Sequence, residues 1–247
     1  METLDMSVQF APTKSSDKVS LHICRQIVRG AMNAGDILPT EQELVTEFNV
    51  SKLVVRESLK ALSSLGLVKI QQGKRTIVQA KMEWDILDPM LQNALELEGL
   101  SAPLTAQLQE LRLILESASA TKAAERASQL QIETLLNIVA DLKEIAAVSR
   151  DRDDFLSSHK KFHDSIAQAS GNEPLRQVLR NVHQYLHRDW DDNTLTKDEM
   201  ALSAEMHGEI ADAIFHSDGA RAAEAIARHI PLAEAKNAKR LRKPAVR

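Results

Sequence analysis

Four histidines stand where helical spacing could gather them. His159 and His163 are four residues apart, which puts both imidazoles on one helix face, and His207 and His229 fall on two later segments, each on an inward side. Imidazoles from three helices of a bundle can converge on a metal ion. The same spacing also suits four histidines that are satisfied separately or exposed, and His183 with His187 is a rival pair. A second set of residues is basic. Lys52 and Arg56 share one side of a helix start, where such side chains can donate to guanine edges and phosphates. Thr40 and Ser51 stand at helix starts and can offer a hydroxyl and free backbone amides to phosphate oxygens, while Gly73, Lys74 and Arg75 occupy a turn suited to the minor groove or backbone. On spacing alone, the competing reading is that these are merely the exposed charges of a small helical domain. No glycine-rich phosphate loop and no nucleophile with a base partner accompany the histidines, so the pattern fits sensing better than turnover.

The elements that must position these groups are legible. Val19, Ile23 and Ile27 mark a first helix, broken by Gly30 to Gly35. Thr40 opens a second helix through a capping box with Glu43, and Leu44 and Phe48 supply its buried face. Ser51 caps a third, with Val55, Leu59 and Leu62 as its stripe and Gly66 as a left-handed stop. The period then changes: Val68 and Ile70 alternate with polar residues, Gln72 to Arg75 turn, and Thr76 to Val78 resume a strand. Three helices and a basic-tipped hairpin make a winged helix-turn-helix.

Beyond Ala80 the strand signal ends. Trp84 to Leu97, with Pro89 inside it, reads as a linker holding a short or kinked helix. Leu104, Leu108, Leu111 and Leu115, then Leu130, Leu135, Ile138 and Leu142, begin a series of about six amphipathic helices. The expected fold class is therefore mainly α, a winged helix-turn-helix followed by an all-α antiparallel bundle. The expected divisions are a tail 1–14, a DNA-binding domain 15–80, a linker 81–101, a helical domain 102–240 and a tail 241–247. Between Pro12 and Ala80 ten Lys and Arg stand against six Asp and Glu, an excess of four in a chain of net charge -4. Positive charge at the front permits DNA binding. The Lys239–Lys243 run reads as a solvated helix end. One cysteine, Cys24, allows no internal disulfide, and no apolar run reaches the length of a membrane span, so a cytoplasmic protein is expected.

Gly35-Asp36, then Pro39-Thr40-Glu41-Gln42-Glu43-Leu44, Phe48-Asn49-Val50-Ser51-Lys52, Val55-Arg56-Glu57-Ser58-Leu59 and Gly66-Leu67-Val68 closely resemble the DNA-binding domain of the GntR superfamily. The resemblance implies binding to double-stranded operator DNA. The family's base-reading arginines fall on Gln42, Lys52 and Arg56, so only the last is arginine here, and Arg75 stands where many members carry a second glycine.

From about residue 105 to about 235 the chain resembles the FadR branch with its all-helical FCD ligand domain. Leu111-Arg112 with Glu116, Phe162-His163 through Ala169-Ser170-Gly171-Asn172 to Leu175, His207-Gly208-Glu209-Ile210 with Ala213-Ile214, and Arg228-His229 carry the likeness. In metal-binding members an aspartate precedes the first histidine by four residues. His163, His207 and His229 match the family set and His159 takes the aspartate's place, an all-imidazole site that favours a divalent transition metal such as zinc or nickel over manganese or magnesium. The resemblance further implies a small carboxylate effector held by Arg112 and Asn172. An ion pair with Glu116, one turn on, is the competing use of Arg112. Trp84 to Leu91 looks like the linker of regulators that answer sugar acids such as galactonate, and a homodimeric repressor released by its effector is the expected mode. An architectural protein with structural histidines is the remaining reading; it should not release DNA when a metabolite is added.

Overall fold

The computed structural model describes residues 14–71, 75–148, 152–186 and 196–241. The chain divides into two compact units, Met1–Thr105 and Ala106–Arg247.

In the first unit α1 (Ser15–Val28), α2 (Glu41–Phe48) and α3 (Lys52–Ser64) precede a hairpin of β1 (Val68–Lys69) and β2 (Ile77–Val78), then a 3-10 turn at Lys81–Glu83 and α4 (Pro89–Leu97). The strands are antiparallel, with Val68 opposite Val78 and Lys69 opposite Ile77, and Ile37 adds an antiparallel bridge to Ile77 that the sequence pattern does not announce. The expected caps form. Thr40 accepts from the Glu43 amide while Glu43 accepts from the Thr40 amide at 2.6 Å, and Ser51 Oγ accepts from Val54 N at 3.3 Å. These bonds satisfy amides that a helix start leaves without partners. Asn49 and Gly66 leave their helices in the left-handed region, at φ 49° and 70°. Pro89 does not kink a helix; it starts one, directly after Asp88, whose side chain accepts from Met90 N at 2.7 Å. The core joins Ile23 and Ile27 of α1, Val55, Leu59 and Leu62 of α3, Val68 and Val78 of the hairpin and Leu91 and Ala94 of α4. The segment 81–101 thus contributes part of its length to the first unit's core.

The second unit is built from α5 (Ala102–Arg126), α6 (Gln129–Ala147), α7 (Arg152–Ala169), α8 (Glu173–Leu186), α9 (Lys197–Phe215) and α10 (Gly219–Leu241). The boundary between the units falls in the first turn of α5. Helix α6 packs on α7 and α9, α9 on α10, and α7 on α8. Small residues let the helices close up: Ala120, Ala123 and Ala124 of α5 and Ala222 and Ala225 of α10 share a core with Phe162, Ile166, Ile210 and Ile226. Two ties fix the α7–α8 corner. Arg126 Nη1 donates to Ser170 O at 2.9 Å, and Arg176 grips Asp164 through two nitrogens at 3.1 and 2.8 Å. Among the described residues no helix is long and apolar enough to cross a membrane.

Candidate functional site

The first unit presents one face of α3. Lys52 and Arg56 are more than half exposed, and both meet the Glu41 carboxylate of α2: Arg56 Nε donates to Oε2 and Oε1 at 3.0 and 3.2 Å, and Lys52 Nζ lies 3.7 Å from Oε2. Gln42 is exposed one residue on in α2, and Arg75 is exposed just before β2. Thr40 and Ser51 hold the two helix starts as caps. Gly73 and Lys74 lie outside the described residues, as does His187. Glu41, which touches both basic side chains of α3, enters the sequence reading only within the family motif, because it lies 15 positions from Arg56.

In the second unit the periodicity of three helices delivers the four histidines to one place. The buried stripe of α7 runs Phe155, Leu156, His159, Phe162, His163, Ile166; that of α9 includes Ala204, His207, Ala211 and Ile214; that of α10 includes Ala222, Ala225, Ile226, His229 and Ile230. His159, His163, His207 and His229 each offer a ring nitrogen within 4.8 Å of the others, and all four are buried. Phe162 stands edge-on to His207, with ring centroids 4.7 Å apart, and is itself fully buried, so it closes one side of the cluster to water.

The partners of these rings assign their protons. His207 Nδ1 is 2.5 Å from the Ser203 carbonyl oxygen, which can only accept, so Nδ1 carries the hydrogen and Nε2 the lone pair. His163 Nδ1 is 2.6 Å from Glu116 Oε2, off the hydrogen-bond line but too close to a carboxylate for anything except N–H. Its Nε2 is therefore also a lone pair. The two Nε2 atoms are 3.3 Å apart. Two lone pairs facing each other at that distance repel, and a cation between them would turn that repulsion into ligation. His229 Nε2 is buried and, among the described residues, makes no hydrogen bond. The donor set fits a transition metal. Burial holds His163 below the usual imidazole range, pushes His207 down to about 3 and holds His229 well below that range, aided for the last two by neighbouring rings, so these rings are neutral at neutral pH.

Glu116 is the second element of the site. Besides His163 it takes Arg112 Nε at 2.6 Å and His183 Nε2 at 2.7 Å, all in a pocket where Arg112 and Glu116 are almost wholly buried. Burial alone would raise its carboxyl, but His163, Arg112 and His183 together outweigh that and hold it well below the carboxylate range. The ion pair that competed for Arg112 in the sequence is thus formed, yet through Nε only; Arg112 Nη2 is buried without a hydrogen-bond partner among the described residues. Asn172 is elsewhere. It is exposed at the start of α8, where its side-chain oxygen accepts from Leu175 N at 3.2 Å. Sequence reasoning took Glu116 only as a partner for Arg112 and His183 only as half of a rival pair; the i, i+4 spacing of Arg112 and Glu116 was the available signal.

Comparison with known proteins agrees in both units. The bacterial regulatory proteins, gntR family, match residues 15–78, and the FCD domain matches residues 107–231. The chain is 31% identical over 213 residues to the galactonate operon transcriptional repressor of Escherichia coli K12, covering 85% of this chain and 91% of the relative. It is 29% identical to the HTH-type transcriptional regulator LutR of Bacillus subtilis, over 83% of this chain and 92% of the relative, and 32% identical to the HTH-type transcriptional repressor NanR of Escherichia coli DH10B, over 89% and 83%. Among solved structures, Escherichia coli McbR/YncC aligns with a TM-score of 0.51 at 15% identity over 93% of this chain and 100% of that one. The Listeria monocytogenes protein Lar aligns with 0.54 at 16% identity over 93% and 99%, which shows a shared fold.

Proposed function

Because the chain belongs to the gntR family of bacterial regulatory proteins and carries an FCD domain, making it a DNA-binding transcriptional regulator and not an enzyme, we propose that it is a metabolite-released repressor. It works as a homodimer on a two-fold operator in the cytoplasm. Thr40, Gln42, Ser51, Lys52 and Arg56, with the wing residues Gly73, Lys74 and Arg75, face the DNA. His159, His163, His207 and His229 hold a divalent transition metal, zinc or nickel before manganese or magnesium, because four neutral imidazoles and no carboxylate among the ligands suit softer ions. A metal bound there would supply a Lewis-acidic position for an anionic oxygen. Arg112 supplies its spare Nη2 to a carboxylate of the effector, and Glu116 fixes both Arg112 and the His163 ring. The first relative's name concerns a galactonate operon, which directs the effector search to sugar acids.

The observation that carries this reading is the convergence of four buried imidazoles, two with their lone pairs opposed at 3.3 Å, in a domain that also buries an arginine with an unmatched nitrogen. Metal content by mass spectrometry on protein purified without a polyhistidine tag tests it. Near-stoichiometric metal in the native chain, absent from His163→Ala, supports the site; absence from both after attempted loading with zinc and nickel removes the metal from the proposal.

A further inference from the structure

We propose that Glu41 sets the specificity of the DNA-reading face, by holding Arg56 and Lys52 of α3 from the first position of α2. The inference rests on α3 being the reading helix, as proposed above. Three side chains meet in the open: Glu41 is 36% exposed, Arg56 57% and Lys52 58%. Ion pairs that exposed contribute little to folding, so the contact has little to do as a staple. Its geometry has more to offer. Both Glu41 oxygens accept from Arg56 Nε, at 3.0 and 3.2 Å, and neither terminal nitrogen of the guanidinium makes a hydrogen bond among the described residues. Those terminal nitrogens are the ones that pair with O6 and N7 of guanine. A guanidinium held by Nε is a planar fork with fewer orientations to lose when it meets a base edge.

The same carboxylate acts in the opposite sense on DNA that offers no guanine at the right place. There Arg56 and Lys52 gain only phosphates, and to reach them they must leave Glu41 and bring its negative charge into the field of the backbone. On a cognate site Arg56 donates through its terminal nitrogens and keeps its Nε bond. Glu41 therefore weakens sequence-independent binding more than cognate binding, and specificity is that difference.

The test uses the full-length chain. A cognate duplex is selected from a random-sequence pool with the native protein, and binding to it and to a scrambled duplex of equal length is measured across a potassium chloride series for native, Glu41→Gln, Glu41→Ala and Arg56→Ala proteins. Glu41→Gln keeps an acceptor for Nε but drops the charge. It should bind the scrambled duplex about 3- to 10-fold tighter at fixed salt, with about one more counterion released, and so narrow the cognate-to-scrambled ratio. Glu41→Ala should do the same and also weaken cognate binding, because Nε loses its holder. Arg56→Ala should weaken cognate binding about 5- to 150-fold. If Arg56→Ala binds the cognate duplex like the native chain, α3 does not read it in this way and the role of Glu41 falls too. If Arg56→Ala is impaired while both Glu41 variants keep the native ratio and salt slope, the reading helix stands and the Glu41 inference is overturned.

Discussion

At Glu116 one buried carboxylate answers Arg112, His163 and His183, so its removal leaves a buried guanidinium with no counter-charge and two rings with no acceptor. Glu116→Ala should cost about 3–5 kcal/mol in urea unfolding of the chain, the range for breaking a desolvated pair. A loss under about 1 kcal/mol would mean that water reaches Arg112 and that the pair is not desolvated as described. The histidines set the response to acid. His207 is held down at about 3 and His229 well below the imidazole range, so the folded state keeps them neutral where the unfolded chain, titrating near 6.5, takes up protons. Their contribution is fully present above about 6.5 and is lost as pH falls below it, on the order of 1 kcal/mol per pH unit for each linked histidine. Glu116, held low, adds a second loss only below about 4.5. Urea midpoints of chelator-treated protein between pH 8 and 5 check this: a plateau from 8 to about 6.5 followed by a fall is expected, and replacing His229 with Gln should flatten the fall. A midpoint that stays level to pH 5 would show that these rings are not buried neutral.

At the level of elements, the contact that most constrains the first unit is backbone on backbone. Gly66 leaves α3 at φ 70°, and a Cβ there would meet the Glu83 carbonyl oxygen at 1.8 Å. The adjoining chain is pinned by Asp85 N to Leu65 O and Gln79 N to Leu67 O, both at 2.9 Å. Gly66→Ala therefore carries both a left-handed penalty and a clash that no side-chain rotation relieves, and should destabilise the first unit by on the order of 2 kcal/mol, read as faster amide exchange across α3 and the hairpin. Unchanged exchange would place the 3-10 turn elsewhere in solution. The local half of this architecture was legible because its signals are local: the Thr40 box, the Ser51 cap, the Gly66 stop and the change of period at Val68 all act within four residues. So were the inward faces of α7, α9 and α10; that their histidines meet was implied by the family resemblance, since spacing alone suited separate histidines as well. What periodicity does not carry is which faces meet. Leu91 and Ala94 of α4 join a core whose other members lie 13 or more residues earlier, Glu116 finds His183 across 67 positions, and Glu41 finds Arg56 across 15. Pro89 was ambiguous for a related reason: a proline suits the first helical position and the middle of a kink alike, and the Asp88 cap that separates the two depends on backbone conformation.

For the whole molecule, the proposed release of DNA by a sugar acid is a coupling free energy, and coupling is reciprocal. If a sugar acid lowers affinity for the selected duplex by some factor, typically about 5- to 150-fold, saturating duplex must lower affinity for that sugar acid by the same factor. Galactonate is the first probe to titrate, by calorimetry, into the metal-loaded chain alone and then into the chain saturated with duplex. Equal factors measured in the two directions support one effector site acting on one DNA-binding equilibrium. There is a specific way for this to fail while DNA is still released. Hydroxy acids also bind transition metals in solution, so a sugar acid in excess can strip the four histidines instead of joining Arg112 beside them. In that case release tracks metal loss, and adding zinc back restores DNA binding with the sugar acid still present. Arg112→Met separates the two outcomes from the other side. It should abolish a response that runs through a carboxylate on Arg112 and leave a response that runs through chelation intact, with metal content measured in the same samples.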